Sequence, residues 1–233
     1  MPKASRQAGQ NIRELALKRR VKAIISFTSA GLAVSLPFLL VKVFEPLLNP
    51  ISALNPSQPR IALNLPPLVY VFCVIAALGL VVEGVFLWKR ADRADQGAKG
   101  EEDMAQEMLQ LEQGGWQVEY GLRLGGGLGD ADIVCISPQT KAYVIDVKSH
   151  RGDVTTDGKQ LYRRMGKTTY PFEKNFLNQA MKQAFQVKKQ KNLSFVTPIV
   201  AFSNAKVSIP SGKSKKVYVV EKSRLVSLLK SLG

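Results

Sequence analysis

At 233 residues, with 33 Lys and Arg against 18 Asp and Glu, the chain has room for one domain and a further segment, and its net charge of +15 is shared by both halves. Residues 1–96 carry 12 basic against 5 acidic side chains and residues 97–233 carry 21 against 13, so one basic half suits anionic lipid and the other nucleic acid. Two cysteines, Cys73 and Cys135, exclude a disulfide framework, and a single histidine, His150, all but excludes a His/Cys zinc site, so any metal must be held by oxygen.

Residues 1–22 form a polar, basic segment, with Glu14 as its only acid. Residues 23–41 then run uncharged for nineteen positions, enough helix to cross about 29 Å. A second uncharged run spans 61–82, with Pro66-Pro67 suited to the first turn of its helix. Together 23–88 reads as a two-helix transmembrane hairpin. A cleaved signal peptide is the alternative for the first run, but the run is longer than an h-region and a second span follows it. Basic residues flank the outer ends of both runs, whereas the loop 45–60 has only Arg60, which predicts cytoplasmic N- and C-termini at an inner or plasma membrane. Residues 89–99, ADRADQGAK at their core, read as a linker to a domain at 100–233.

That domain opens with a helix over 100–112, where Met104, Met108 and Leu111 recur at i, i+4, i+7. Glu101 falls near the centre of this apolar arc, an unusual place for an acid. A strand at 116–123 and a glycine loop at 124–129 follow; the loop lacks the Lys-Ser/Thr ending of a phosphate-binding P-loop. Two strands, about 132–137 and 142–147, form a hairpin with Asp132 at the start of the first and Asp146 and Lys148 on one face at the end of the second. Asp130 is an alternative to Asp132. His150 lies in a turn-rich stretch, 150–158, that leads to a short strand at 160–165. A helix at 175–191 carries Gln179 and Gln183 at the margin of its apolar arc, and the chain closes with strands at 196–202 and 217–220 and a helix at 221–232. The order predicts an α/β fold with a mixed sheet flanked by helices.

Two carboxylates and an ammonium at one sheet edge suit metal-assisted hydrolysis of a phosphodiester. Mg²⁺ takes one or two protein carboxylates and keeps exchangeable positions, so Asp132 and Asp146 fit as ligands, with Glu101 as a third. Lys148 suits orienting or deprotonating water and stabilising developing charge, and Gln179 suits positioning the nucleophile or a phosphate oxygen. Lys159, Arg163, Arg164, Lys167 and Lys174, interleaved with Tyr162, Tyr170 and Phe172, suit a phosphate backbone; a solvated hairpin with core aromatics is the equal alternative.

These residues resemble the nuclease-related domain, NERD, of the PD-(D/E)xK nuclease superfamily. The resemblance rests on Gly100-Glu101, Asp132, the run Val144 to Lys148, Gly152, Asp157-Gly158 before Leu161-Tyr162, and Asn175 with Gln179. It implies a restriction-endonuclease-like core and a Mg²⁺-dependent nuclease role; the substrate expected here is DNA ahead of RNA, with Mn²⁺ as the other metal. Asp132, Asp146 and Lys148 would be the catalytic trio, supported by Glu101 and Gln179. The chain departs from the family at Asp146, more often Glu, and at Phe176, often Pro. The expectation is therefore a membrane-anchored nuclease, with an inactive nucleic-acid-binding or scaffold module as the alternative. Lipid bilayer and nucleic acid are its expected partners, and a homo-oligomer or membrane complex stays open.

Overall fold

The computed structural model describes residues 8–49, 62 and 64–233. They divide into two compact units, one of Leu15–Arg93 and one joining the described residues up to Glu14 with Ala94–Gly233. Two helices pass through both units, α1 over Gln10–Leu48 and α2 over Pro67–Glu112. The first seven residues and most of the predicted outer loop lie outside the described residues.

Within Leu15–Arg93 the two helices lie antiparallel, since Arg20 meets Asp92 at 3.3 Å while Phe38 meets Tyr70 with ring centroids 5.6 Å apart. Small residues make the close approach possible. Ala16, Ala23 and Ala30 on α1 and Ala77 and Ala91 on α2 are buried, and a side chain on Gly84 would run into the ring of Phe27. Their seven-residue spacing is that of a left-handed helix pair, and small residues are the usual packing solution where both helices are otherwise apolar. Large apolar side chains instead point outward: Leu32 is 64% exposed, Phe72 78% and Val82 69%. Both helices are long and apolar enough to cross a membrane.

One expectation needs correcting here. Residues 89–99 were read as a linker, but α2 runs through them without a break, so the helix expected at 100–112 is the last quarter of a 46-residue helix. Ala91 and Ala98 continue the buried small-residue spacing, which is why this polar-looking stretch stays helical.

The second unit is a mixed α/β fold around an eight-stranded sheet. Its strands are β1 (Gln117–Arg123), β2 (Asp130–Ile136), β3 (Ala142–Thr156), β4 (Leu161–Met165), β5 (Thr168–Pro171), β6 (Val196–Val207), β7 (Lys213–Ser214) and β8 (Val217–Glu221). The main path runs β1-β2-β3-β6-β8-β7, and β4 and β5 extend from the far half of β3. β1, β2 and β3 are antiparallel neighbours, whereas β3, β6 and β8 are parallel. The parallel pairing follows from α3 (Phe176–Gln190), which crosses from one side of the sheet and returns the chain beside β3. α4 (Lys222–Leu232) closes the chain.

Alternation along the strands builds two cores. Tyr143, Ile145, Ile133 and Ile199 pack with Met104, Met108 and Leu111 of α2 and Leu225 and Leu229 of α4. Val144 and Val134 pack with Ala184 and Val187 of α3, and Val200 and Phe202 with Leu177 and Ala180. The sheet is thus sandwiched between helices, and a fully buried side chain of this size contributes about 1.5–3 kcal/mol.

β3 is longer than expected. It absorbs residues 150–156 of the stretch expected to be turns, and carries a bulge there: Lys148 pairs with Phe202 and Arg151 with Asn204, so β3 has one extra residue at Ser149-His150. The bulge frees the Ser149 carbonyl, which accepts from Gln96 Nε2 at 3.0 Å. α2 comes closest to the sheet at the same point. A Cβ on Gly100 would lie 2.8 Å from Ser203 Oγ and 3.1 Å from Ser149 Cβ, so only glycine lets the helix settle there.

Candidate functional site

The candidate site lies where β2 and β3 part. Their ladder ends at the Ile133–Ile145 pair. Beyond it the Val147 N–H donates to Asp132 Oδ2 at 2.7 Å rather than to a β2 carbonyl. The carboxylate has taken the place of a backbone acceptor, so the gap between the strands opens at the acids themselves.

Asp146, one step further along β3 from the end of the ladder, is only 1% exposed. Lys148 Nζ stands 2.9 Å from its Oδ1 and 2.8 Å from its Oδ2, and donates a hydrogen bond to the former. Gln179 Nε2, from α3, adds a second bond to Oδ1 at 3.3 Å. Oδ2 is buried and has no hydrogen bond among the described residues, despite the nearby ammonium. Lys148 is held from its other side by Phe176, whose ring centroid is 4.8 Å from Nζ. Phe176 is therefore packed on the lysine, a cation–π contact.

Glu101 enters from α2, half-buried, and its Oε2 accepts from the Gly9 N–H at 3.0 Å. The three acids act on one another. Burial pushes the Asp132 carboxyl well above the ordinary carboxylate range, and Asp146 and Glu101 push it further. Burial also raises Glu101, against the Gly9 N–H and Lys148, while Asp130 and Asp146 add to the rise. Asp146 is raised by burial, with the Lys148 ammonium opposing. Each carboxylate is short of positive charge, and among the described residues one ammonium, Lys148, opposes the rise at all three.

The chemistry of the donors fits a hard divalent cation. All are oxygens, one is buried with no hydrogen bond, and the mutual repulsion is what a divalent charge relieves. Among the described residues, however, no three His, Cys, Asp or Glu side chains form a ready-made metal cage. Each of the three acids already accepts a hydrogen bond on one oxygen, from Lys148 at Asp146, from the Val147 N–H at Asp132 and from the Gly9 N–H at Glu101.

Some residues sit otherwise than expected. His150 is no exposed loop residue. It lies half-buried at the bulge, 5.0 Å from the Phe172 ring and 5.6 Å from that of Phe176, and burial lowers its pKa. Asp130, the alternative ligand, gives its Oδ2 to Asn11 Nδ2 at 3.0 Å. Gln183 belongs beside Gln179: it is 1% exposed, donates to the Asp130 carbonyl at 3.3 Å, and its buried Oε1 has no hydrogen bond among the described residues. Its position one turn after Gln179 was the available signal. Gly9 and Asn11 had none, because contacts across ninety or more residues leave no periodic trace.

The basic residues assigned to nucleic acid gather on and around the β4–β5 hairpin. Lys159 lies in the turn before β4, Arg163 and Arg164 on β4, Lys167 in the next turn and Lys174 ahead of α3. Arg164 is paired with Asp153 at 2.9 Å, and Arg163 is half-buried. Of the three rings interleaved with them, Tyr170 is exposed. Tyr162 donates to Asp157, and Phe172 packs on His150, Phe176 and Phe202.

Residues 96–203 match the family model of NERD, the nuclease-related domain. The matched stretch contains Glu101, Asp132, Asp146, Lys148, Gln179 and Gln183, and stops short of β8 and α4. No curated protein and no solved structure matches the chain.

Proposed function

Taking residues 96–203 as a nuclease-related domain, we propose that this protein is a membrane-anchored, Mg²⁺-dependent nuclease that hydrolyses phosphodiester bonds of DNA, ahead of RNA. The supporting observation is the shared burial of Asp132, Asp146 and Glu101 about the Lys148 ammonium at a parted strand pair. Asp132, Asp146 and Glu101 would hold Mg²⁺ or Mn²⁺. Bound there, the ion supplies charge neutralisation at the phosphoryl oxygens and lowers the pKa of the attacking water. Lys148, braced between Asp146 and the Phe176 ring, presents a fixed positive charge to the phosphate and is placed to exchange a proton with the water. Gln179, through its amide, fixes the Asp146 carboxylate against rotation and can orient a phosphate oxygen. The hairpin residues Lys159, Arg163, Arg164, Lys167 and Lys174 would follow the phosphate backbone, with Tyr170 free to stack.

Anchoring rests on the two apolar helices, whose outward side chains suit lipid and whose basic outer flanks suit an inner or plasma membrane with both termini cytoplasmic. The test is cleavage by the full-length protein in detergent, on single- and double-stranded DNA and RNA. Cleavage should require Mg²⁺ or Mn²⁺ and fall about 100-fold or more in Asp132→Ala, Asp146→Ala and Lys148→Ala. Nucleic acids left intact by the wild type with both metals would overturn the proposal.

A second reading, a nucleic-acid-binding or scaffold module without turnover, draws on the absence of a ready-made three-ligand cluster among the described residues. It predicts salt-sensitive binding that survives the three substitutions.

A further inference from the structure

We infer that Gly9 and Asn11, which precede and open the first apolar helix and lie outside the family match, are positioning residues of the carboxylate site. The inference rests on the metal-site reading above. Glu101 takes the Gly9 N–H on Oε2 at 3.0 Å, and Asp130 takes the Asn11 amide on Oδ2 at 3.0 Å. Two acids beside the site thus receive donors from a segment about ninety to 120 residues upstream.

The segment is built to present those donors. Gly9 has φ +75°, and a Cβ there would lie 2.8 Å from the Ala98 carbonyl, so no side chain is tolerated where the backbone meets α2. The Gly9 carbonyl is turned the other way, accepting the Ile12 and Arg13 N–H groups at 3.1 and 3.0 Å as α1 begins. The N–H is thereby left for Glu101. One turn on, the Arg13 guanidinium grips both Glu102 oxygens with Nε and Nη2, the latter 2.6 Å from Oε2, and fixes the segment's register on α2. An ordinary helix start leaves its first N–H groups to water or to its own cap. Here one goes to Glu101, a half-buried acid beside the two aspartates.

The physical consequence is orientation. A glutamate has three rotatable bonds, and pinning Oε2 with a backbone donor leaves Oε1 as the free ligand in one place. Partners of this kind behind a metal ligand are worth about 10–100-fold in metal affinity. The site therefore draws on two segments far apart in the chain, with Glu101 on α2 and its holder, Gly9, just ahead of α1.

The experiment is a calorimetric titration of Mn²⁺ into the full-length protein in detergent micelles, for the wild type, Gly9→Val, Asn11→Ala, Glu101→Gln and the Gly9→Val/Glu101→Gln double variant, with thermal melts of each. Gly9→Val should raise the Kd for Mn²⁺ about 10-fold, and Asn11→Ala, whose partner Asp130 neighbours the ligands without being one, should raise it by a smaller factor. In the Glu101→Gln background Gly9→Val should add nothing, because its effect passes through that carboxylate. If Gly9→Val does not fold, Asn11→Ala decides. Wild type that binds Mn²⁺ with variants that bind it equally well would overturn this inference and leave the metal site standing. An equal loss from Gly9→Val in both backgrounds would overturn it too, as general loosening. Wild type that binds no Mn²⁺ would overturn the metal-site reading, and the inference with it.

Discussion

The two ends of the β2–β3 hairpin are made from the same two strands and have opposite economies. At the closed end Ser137 and Lys141 bond across the turn, N to O at 2.9 Å, while the Lys141 N–H also meets Ser137 Oγ at 3.2 Å. Only a positive φ at Thr140, 65°, is out of the ordinary. At the open end three acids are buried to different depths, all with raised pKa, and Asp146 Oδ2 lacks a hydrogen bond among the described residues. One end is arranged for stability. The other carries an electrostatic cost that a bound cation would relieve.

The sharpest way to break the contrast is at Lys148, the ammonium the acids share. Lys148→Met leaves Asp146 buried without its counter-ion, and should cost about 3–5 kcal/mol in chemical denaturation of the metal-free protein. A loss no larger than that of a surface pair, about 1 kcal/mol or less, would mean that the acids are better solvated than their burial implies.

Asp132 tests the sign of the cost. Its folded pKa is raised, so its favourable contribution is complete at low pH and is lost as pH climbs past the ordinary carboxylate range, near about 4, and on through the raised folded value. The metal-free protein should therefore lose thermal stability from acid toward neutral pH in this window. Asp132→Asn keeps an oxygen for the Val147 N–H and removes the charge. Its melting temperature should exceed that of the wild type at pH 7, with a flatter pH profile, and added Mg²⁺ should raise the melting temperature of the wild type alone.

The smallest effect belongs to the closed end. Thr140→Gly relieves a β-branched residue at positive φ and adds chain entropy to the unfolded state, two effects of about 1 kcal/mol that oppose each other. Stability should change by less than about 1 kcal/mol and metal binding not at all, as read by melts and Mn²⁺ titration.

The same contrast explains what could be read from the chain. The paired strands, Asp146 and Lys148 on one face, the apolar arc of Met104, Met108 and Leu111, and the arc of α3 are periodic, and periodicity survives in sequence. Glu101 was visible because it interrupts such an arc. The continuity of α2 through 89–99 was hidden, because a seam of Ala91 and Ala98 looks like a polar linker unless the seven-residue spacing of small residues is followed from Ala77. The bulge that buries His150 depends on one extra residue against a strand fifty positions later, which no local pattern encodes. Gly9 and Asn11 reach Glu101 and Asp130 across the whole apolar hairpin, and only the fold brings them there.

The central claim, that Asp132 and Asp146 hold a divalent cation with Glu101 beside them, is tested most directly by anomalous diffraction from crystals of the full-length protein soaked in Mn²⁺. The account predicts a manganese peak about 2.0–2.6 Å from oxygens of both aspartates. Manganese bound elsewhere, or Lys148 still closing on Asp146 with no peak at the acids, would contradict it.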